Sequence, residues 1–148
     1  MDIPWAVEVL KFAKLSDEEE AEHCRTLVES KMNECTLEVA RILMKTFSEY
    51  EDYGVQECVV SVLASAERHD YLQALLEELP RLLVEAVDWA FVLVGREVLY
   101  HTESLIQVAS EMEIAIRQVL VSLLNNEEFS DFYEQAEFVA MQINIGNT

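Results

Sequence analysis

The side chains best placed to do chemistry in this chain are carboxylates: 29 Asp and Glu stand against 10 Lys and Arg, a net charge of -19 at pH 7. Glu18, Glu19 and Glu22 form an EExxE cluster, and Glu49 with Asp52 forms an ExxD pair after 26 intervening residues. Acids at i, i+1 and i+4 of one helix can meet acids on an antiparallel neighbour and hold Mg²⁺ through hard oxygen ligands, the chemistry of metal-assisted hydrolysis. The same residues have a plainer explanation. Acids in a first helical turn complement the helix dipole, and a chain this acidic generates such spacings readily. The balance favours no metal, no cofactor and no catalysis.

Histidine and thiol chemistry is sparse. His23, His69 and His101 are scattered, with neither an HxxxH pair nor a nucleophile elbow. Glu20 and His23 make one ExxH, an element that di-iron bundles use twice, but there is no second copy. Cys24, Cys35 and Cys58 form no CxxC pair and fall inside apolar helical patterns, where thiols behave as small core hydrophobes. Unpaired thiols fit a reducing cytoplasm.

What remains is binding. The negative charge argues against phosphate backbones as direct ligands and favours a cationic partner. Two acidic stretches are candidates for its contact. The first is Glu49, Tyr50, Glu51, Asp52 and Tyr53, where two tyrosines flank the charge. The second holds Glu127, Glu128, Asp131, Glu134 and Glu137, and no Lys or Arg follows Arg117 to offset it. Phe129, Phe132 and Tyr133 interleave with this second run, although their helical spacing assigns them to the core. A solvated face is the ordinary meaning of a charge run, but concentration and missing compensation favour a surface for a basic protein.

These residues must be positioned by helices, because helical periodicity runs along the chain and no stretch alternates as a half-buried strand does. Asp2 and Pro4 open a helix over about residues 3–13, and a Ser16/Glu19 capping box opens another to about Met32. Thr36 caps a third helix with Leu37, Ala40, Met44 and Phe47 on one face. Residues 48–54 end it, and Val55, Val59, Val62, Leu63 and Ala66 mark a fourth. Asp70 caps a fifth, which Pro80 stops. Arg81 to about Tyr100 reads as a central helix, apolar on nearly all sides, with Trp89 in the core. Thr102 caps the next helix, a Ser110/Glu113 capping box opens another, and a last helix follows Asn125 and Asn126 to about Ile143.

Eight to nine helices in antiparallel pairs within a single domain of residues 1–148 predict an all-α fold, a short HEAT-like solenoid or an irregular bundle. Pairs near 36–66, 70–100 and 102–124 favour the solenoid, with the C-terminal helix as its cap. No secretory leader is evident in MDIPWAVEVLKF, and Glu85, Asp88, Arg96 and Glu97 interrupt the apolar region from Leu82 to Leu99, too many charges for a membrane span.

The segment from Phe47 to about Leu124 resembles the immunity protein 30 family of bacterial polymorphic toxin and contact-dependent inhibition systems. The resemblance rests on the aromatic and acidic turn from Phe47 to Asp52, the aliphatic helix after it, the Tyr71-Leu72 to Leu79-Pro80 segment, and Ala86 to Arg96 with Trp89 and Ala90. It implies an all-helical cytoplasmic antidote, without catalysis of its own, that binds and blocks a cognate toxin C-terminal domain. Many such toxins are nucleases with basic grooves, which an acidic antidote would cover by charge complementarity. Trp89 and Arg96 are assigned to the fold. Two alternatives stand beside this reading. One is a helical-repeat adaptor for another basic protein. The other is a Mg²⁺-dependent nucleotide pyrophosphatase, since EExxE with ExxD resembles the magnesium site of all-α enzymes of the MazG type.

Overall fold

The computed structural model describes residues 3–14, 17–49 and 54–143. Among these residues there are ten α-helices and no strand, so the fold is all-α. In chain order they are α1 (Ile3–Phe12), α2 (Glu18–Glu29), α3 (Leu37–Met44), α4 (Val55–Leu63), α5 (Arg68–Glu85), α6 (Val87–Tyr100), α7 (Thr102–Glu111), α8 (Ile114–Leu124), α9 (Glu127–Phe132) and α10 (Ala136–Gln142). By its internal contacts the chain falls into two compact units, Met1–Ala74 and Leu75–Thr148, the division lying inside α5.

In the first unit α1 packs on α2 and α3, and α4 packs on α2 and α3. Trp5 fastens α1 down: its indole N–H donates to the Leu27 carbonyl at 2.8 Å, and the Lys31 ammonium sits 5.2 Å above its ring. Such a tip bond is what allows a tryptophan to be buried. The cap of α2 is Asp17, whose carboxylate accepts from the Glu20 N–H at 2.8 Å; Ser16, the expected cap, lies outside the described residues. Thr36 does cap α3, accepting from Val39 N–H.

In the second unit α6 packs on α7, α7 on α8 and α8 on α9, while α10 returns against α7, α8 and α9. Several expected boundaries move. Helix α5 starts at Arg68, so Asp70 sits in its first turn instead of capping it. It also runs through Pro80 to Glu85. Proline inside a helix costs about 3 kcal/mol, but Pro80 faces solvent while Leu75, Leu76, Leu79, Leu82 and Ala86 are all buried. Stopping at Pro80 would swing Leu82 and Ala86 off that row, and one fully buried leucine already contributes roughly 1.5–3 kcal/mol. The break falls instead at Ala86, whose φ of -153° and ψ of 55° leave the helical region.

Two further caps differ. Thr102 is the first residue of α7, and its hydroxyl donates back to the Val98 carbonyl at 2.8 Å instead of capping forward. Ser110 likewise donates to Ile106, and α8 starts from Glu113 with no side-chain cap. Short hydroxyl side chains bond the i−4 carbonyl as readily as a downstream N–H. Trp89 is half-buried and Arg96 exposed, so neither is a core side chain. Glu97 is the reverse, a carboxylate only 3% exposed within α6.

Candidate partner-binding surface

The C-terminal acidic run is shaped by a break that its spacing hides. Asn126 caps α9, accepting from Phe129 N–H at 3.0 Å, and Glu127 and Glu128 occupy the first turn where the dipole favours them. Phe129 is fully buried, edge-on to Phe91 at 5.3 Å and tilted against Tyr133 at 4.7 Å. Tyr133 then leaves the helix with φ of -114° and ψ of 94°. Its ring lies on Gly95 of α6, where any Cβ would occupy the ring's own space. Burial pushes the Tyr133 phenol above its ordinary range, against the opposing pull of the Arg96 charge.

This insertion ends α9 but keeps the inward row: Phe129, Tyr133, Ala136, Ala140 and Ile143, at successive spacings of four and three, are all buried. The sequence pattern places Phe132 on this face with Phe129 and Tyr133. Instead α9 ends, α10 begins at Ala136, and Phe132 is 78% exposed, edge-on to Tyr133 at 4.8 Å. On α10, Ala136, Val139 and Ala140 face inward while Phe138 and Met141 are 57% and 80% exposed. Glu127, Glu128, Asp131, Glu134 and Glu137 are all exposed on the same stretch. Three large apolar side chains therefore stand in a field of five carboxylates. Sequence reasoning missed Phe138 and Met141 and placed Phe132 inside. The usable signal for Phe138 and Met141 was helical phase, since at 3.6 residues per turn they fall about 180° and 120° from Phe129.

The first acidic stretch is only partly described. Glu49 is exposed at the end of a loop anchored from below by Phe47, 1% exposed, and by buried Gln56, whose Oε1 accepts from Ser48 N–H at 2.7 Å. Tyr50, Glu51, Asp52 and Tyr53 lie outside the described residues. Gly54 follows with φ of +84°, a conformation that favours glycine, and an Arg25 Nη2 stands 3.3 Å from where a Cβ would be. Arg25 also pairs with Glu22 at 3.5 Å. A cation thus stands beside Gly54, a neighbour that the sequence did not reveal.

No protein-family model, curated protein or solved structure matches the chain.

The carboxylates of the hydrolase alternative are dispersed in role. Glu18 and Glu19 are exposed first-turn residues of α2, Glu22 pairs with Arg25, and Asp52 is not among the described residues. Among the described residues no group of three His, Cys, Asp or Glu could hold a metal ion. His23 is exposed and packs on the Phe12 ring at 4.2 Å. Burial, with the Cys58 thiol adding to it, pushes Cys24 up to about 11. Cys35 also rises to about 11 through burial and the Asp70 charge. Cys58 is half-buried and its thiol donates to Glu29 at 3.7 Å; burial and Glu29 raise it against Arg25. None carries the lowered pKa of a nucleophilic cysteine.

Proposed function

We propose that this chain is an immunity protein that binds a basic toxin domain in the cytoplasm and blocks it without catalysis. The observation that carries the reading is the α9–α10 surface, where exposed Phe132, Phe138 and Met141 stand among five exposed carboxylates. Exposed large apolar side chains ringed by polar ones mark interaction sites, and carboxylates select a basic partner. The aromatics supply contact area at low entropic cost and the charge supplies steering. The Glu49 to Tyr53 stretch is the second contact, where two tyrosines accompany the acidic side chains. For the helix pairs we favour a short HEAT-like array, in which neighbours in sequence are neighbours in space and exposed helix faces bind the partner.

Coexpression tests this reading. The chain should restore growth to cells producing the toxin domain encoded beside its own gene, and should copurify with it. Absence of both protection and copurification with that domain overturns the immunity reading. Hydrolysis of nucleoside triphosphates by the purified protein with Mg²⁺, lost in Glu19→Ala, would replace it with the pyrophosphatase.

A further inference from the structure

One groove in the second unit has the form of a helix-docking site. It has a volume of about 570 Å³. One wall is Leu83, Val87 and Phe91, spaced four apart across the end of α5 and the start of α6. The facing wall is Ala115, Val119 and Ser122 of α8, spaced four and three apart, with Leu123 also in the lining. One apolar row and one of small and apolar residues, both at helical spacing, match the i, i+3, i+4, i+7 anchors of an amphipathic helix. At one end the groove reaches Asn126 and Glu128, the cap and first turn of α9. Its lining includes that carboxylate and no basic side chain.

We propose that this groove receives an amphipathic helix of the basic partner, its apolar face between α5–α6 and α8 and its Lys or Arg residues against Glu128 and the acidic α9 surface. The inference rests on the proposed function only for the sign of the partner's charge. Charge complementarity selects the occupant. The unit Leu75–Thr148 contains 13 acidic and 3 basic residues, and of those three Arg81 is held by Glu78 and Glu85. Exposed Glu85 and Asp88 lie beside the first wall, and Glu113 precedes α8 on the second. An acidic helix would meet repulsion from both sides, whereas a basic one would be guided in. Continuity matters as well, because Glu128 belongs both to the groove and to the α9 surface.

Synthetic helical peptides of roughly five turns, about 18 residues, test this without any toxin. A Leu/Lys amphipathic peptide should bind the full chain at least about tenfold more tightly than a Ser/Lys peptide or a Leu/Glu peptide, read by fluorescence anisotropy. Ala115 and Ser122 are exposed, so Ala115→Trp with Ser122→Trp fills the groove from outside and should weaken Leu/Lys binding about tenfold. Gln118→Arg with Ser122→Arg, also at exposed positions, should do the same by charge if the tryptophan variant folds poorly. Equal binding of Ser/Lys and Leu/Lys peptides would mean attraction by charge alone and overturn the proposal. So would unchanged affinity in well-folded blocked variants. A dimer of the free chain that the blocking substitutions dissolve would give the groove to a second copy, also overturning it. These outcomes are separate from cell protection: a chain that protects cells but ignores the peptides keeps its proposed function and loses this groove.

Discussion

Gly95 and Tyr133 are the residue pair on which the C-terminal surface depends. The Tyr133 ring occupies the place of a Gly95 side chain, so Gly95→Ala must displace the ring or shift α6. Overpacking of this kind costs about 1–3 kcal/mol, which urea denaturation should register as a lower midpoint. An unchanged midpoint would mean that Tyr133 does not anchor the α9–α10 turn. The thiols make a separate prediction. Cys24 and Cys35 are raised to about 11, so each contributes stability that is complete below the unfolded-state pKa near 9 and is lost as pH rises through the folded value. Unfolding free energy should therefore fall between pH 9 and 11. The fall should be shallower in Cys24→Ala with Cys35→Ala, even though that variant is less stable at pH 7. Equal slopes would mean that these thiols ionise as readily folded as unfolded. At this scale the sequence was informative where the chemistry is local. Cys24 and Cys35 read correctly as buried thiols, although Cys35 lies in the loop before α3, and Cys58 is only half-buried. Trp89 and Phe132 were misread because apolar character at helical spacing does not by itself decide burial: Trp89 is half-buried inside α6 and Phe132 is exposed at the end of α9.

Elements were legible in type and blurred in extent. The Thr36 cap could be read directly, since an oxygen at N-cap accepts from a nearby backbone N–H. Thr102 and Ser110 looked equally suitable but bond to the turn behind them, a choice made by where the helix actually starts. The candidate surface suffered little from this blur, because Phe138 and Met141 lie off the buried row of Phe129, Tyr133, Ala136 and Ala140 whether or not the helix is continuous. Pro80 gives the sharpest test. It faces solvent inside α5, so it removes an intrahelical bond that Ala would restore while the buried leucine row stays as it is. Against this, proline restricts the unfolded chain, an advantage of about 0.4–1 kcal/mol that is lost on replacement. Since the interior penalty is about 3 kcal/mol, Pro80→Ala should stabilise the protein by roughly 2–2.6 kcal/mol. A rise in the urea midpoint at unchanged m-value would support that, whereas a fall would mean that α5 bends at Pro80 to meet a requirement of its packing.

At the scale of the whole molecule, the charge of -19 acts on folding and on binding with opposite signs. The excess is shared: Met1–Ala74 has 16 acidic and 7 basic residues, Leu75–Thr148 has 13 and 3. Self-repulsion of this kind weakens a compact state, and screening relieves it. Raising NaCl from 0.1 to 1 M shortens the Debye length from about 10 to 3 Å, so the melting temperature should rise while association with a basic partner slows. A hydrophobic account of both would have salt strengthen each. Asp131→Lys with Glu134→Lys separates the two effects locally. Both residues are exposed and outside the first turns of α9 and α10, so folding should change by no more than about 0.5 kcal/mol. If the α9–α10 surface meets the partner, the association rate should drop about tenfold at low salt and approach the unsubstituted value at 1 M, where both are screened. A rate that is unaffected by the reversal, with steep salt dependence retained, would assign the steering to other carboxylates, first among them the turn that begins at Glu49.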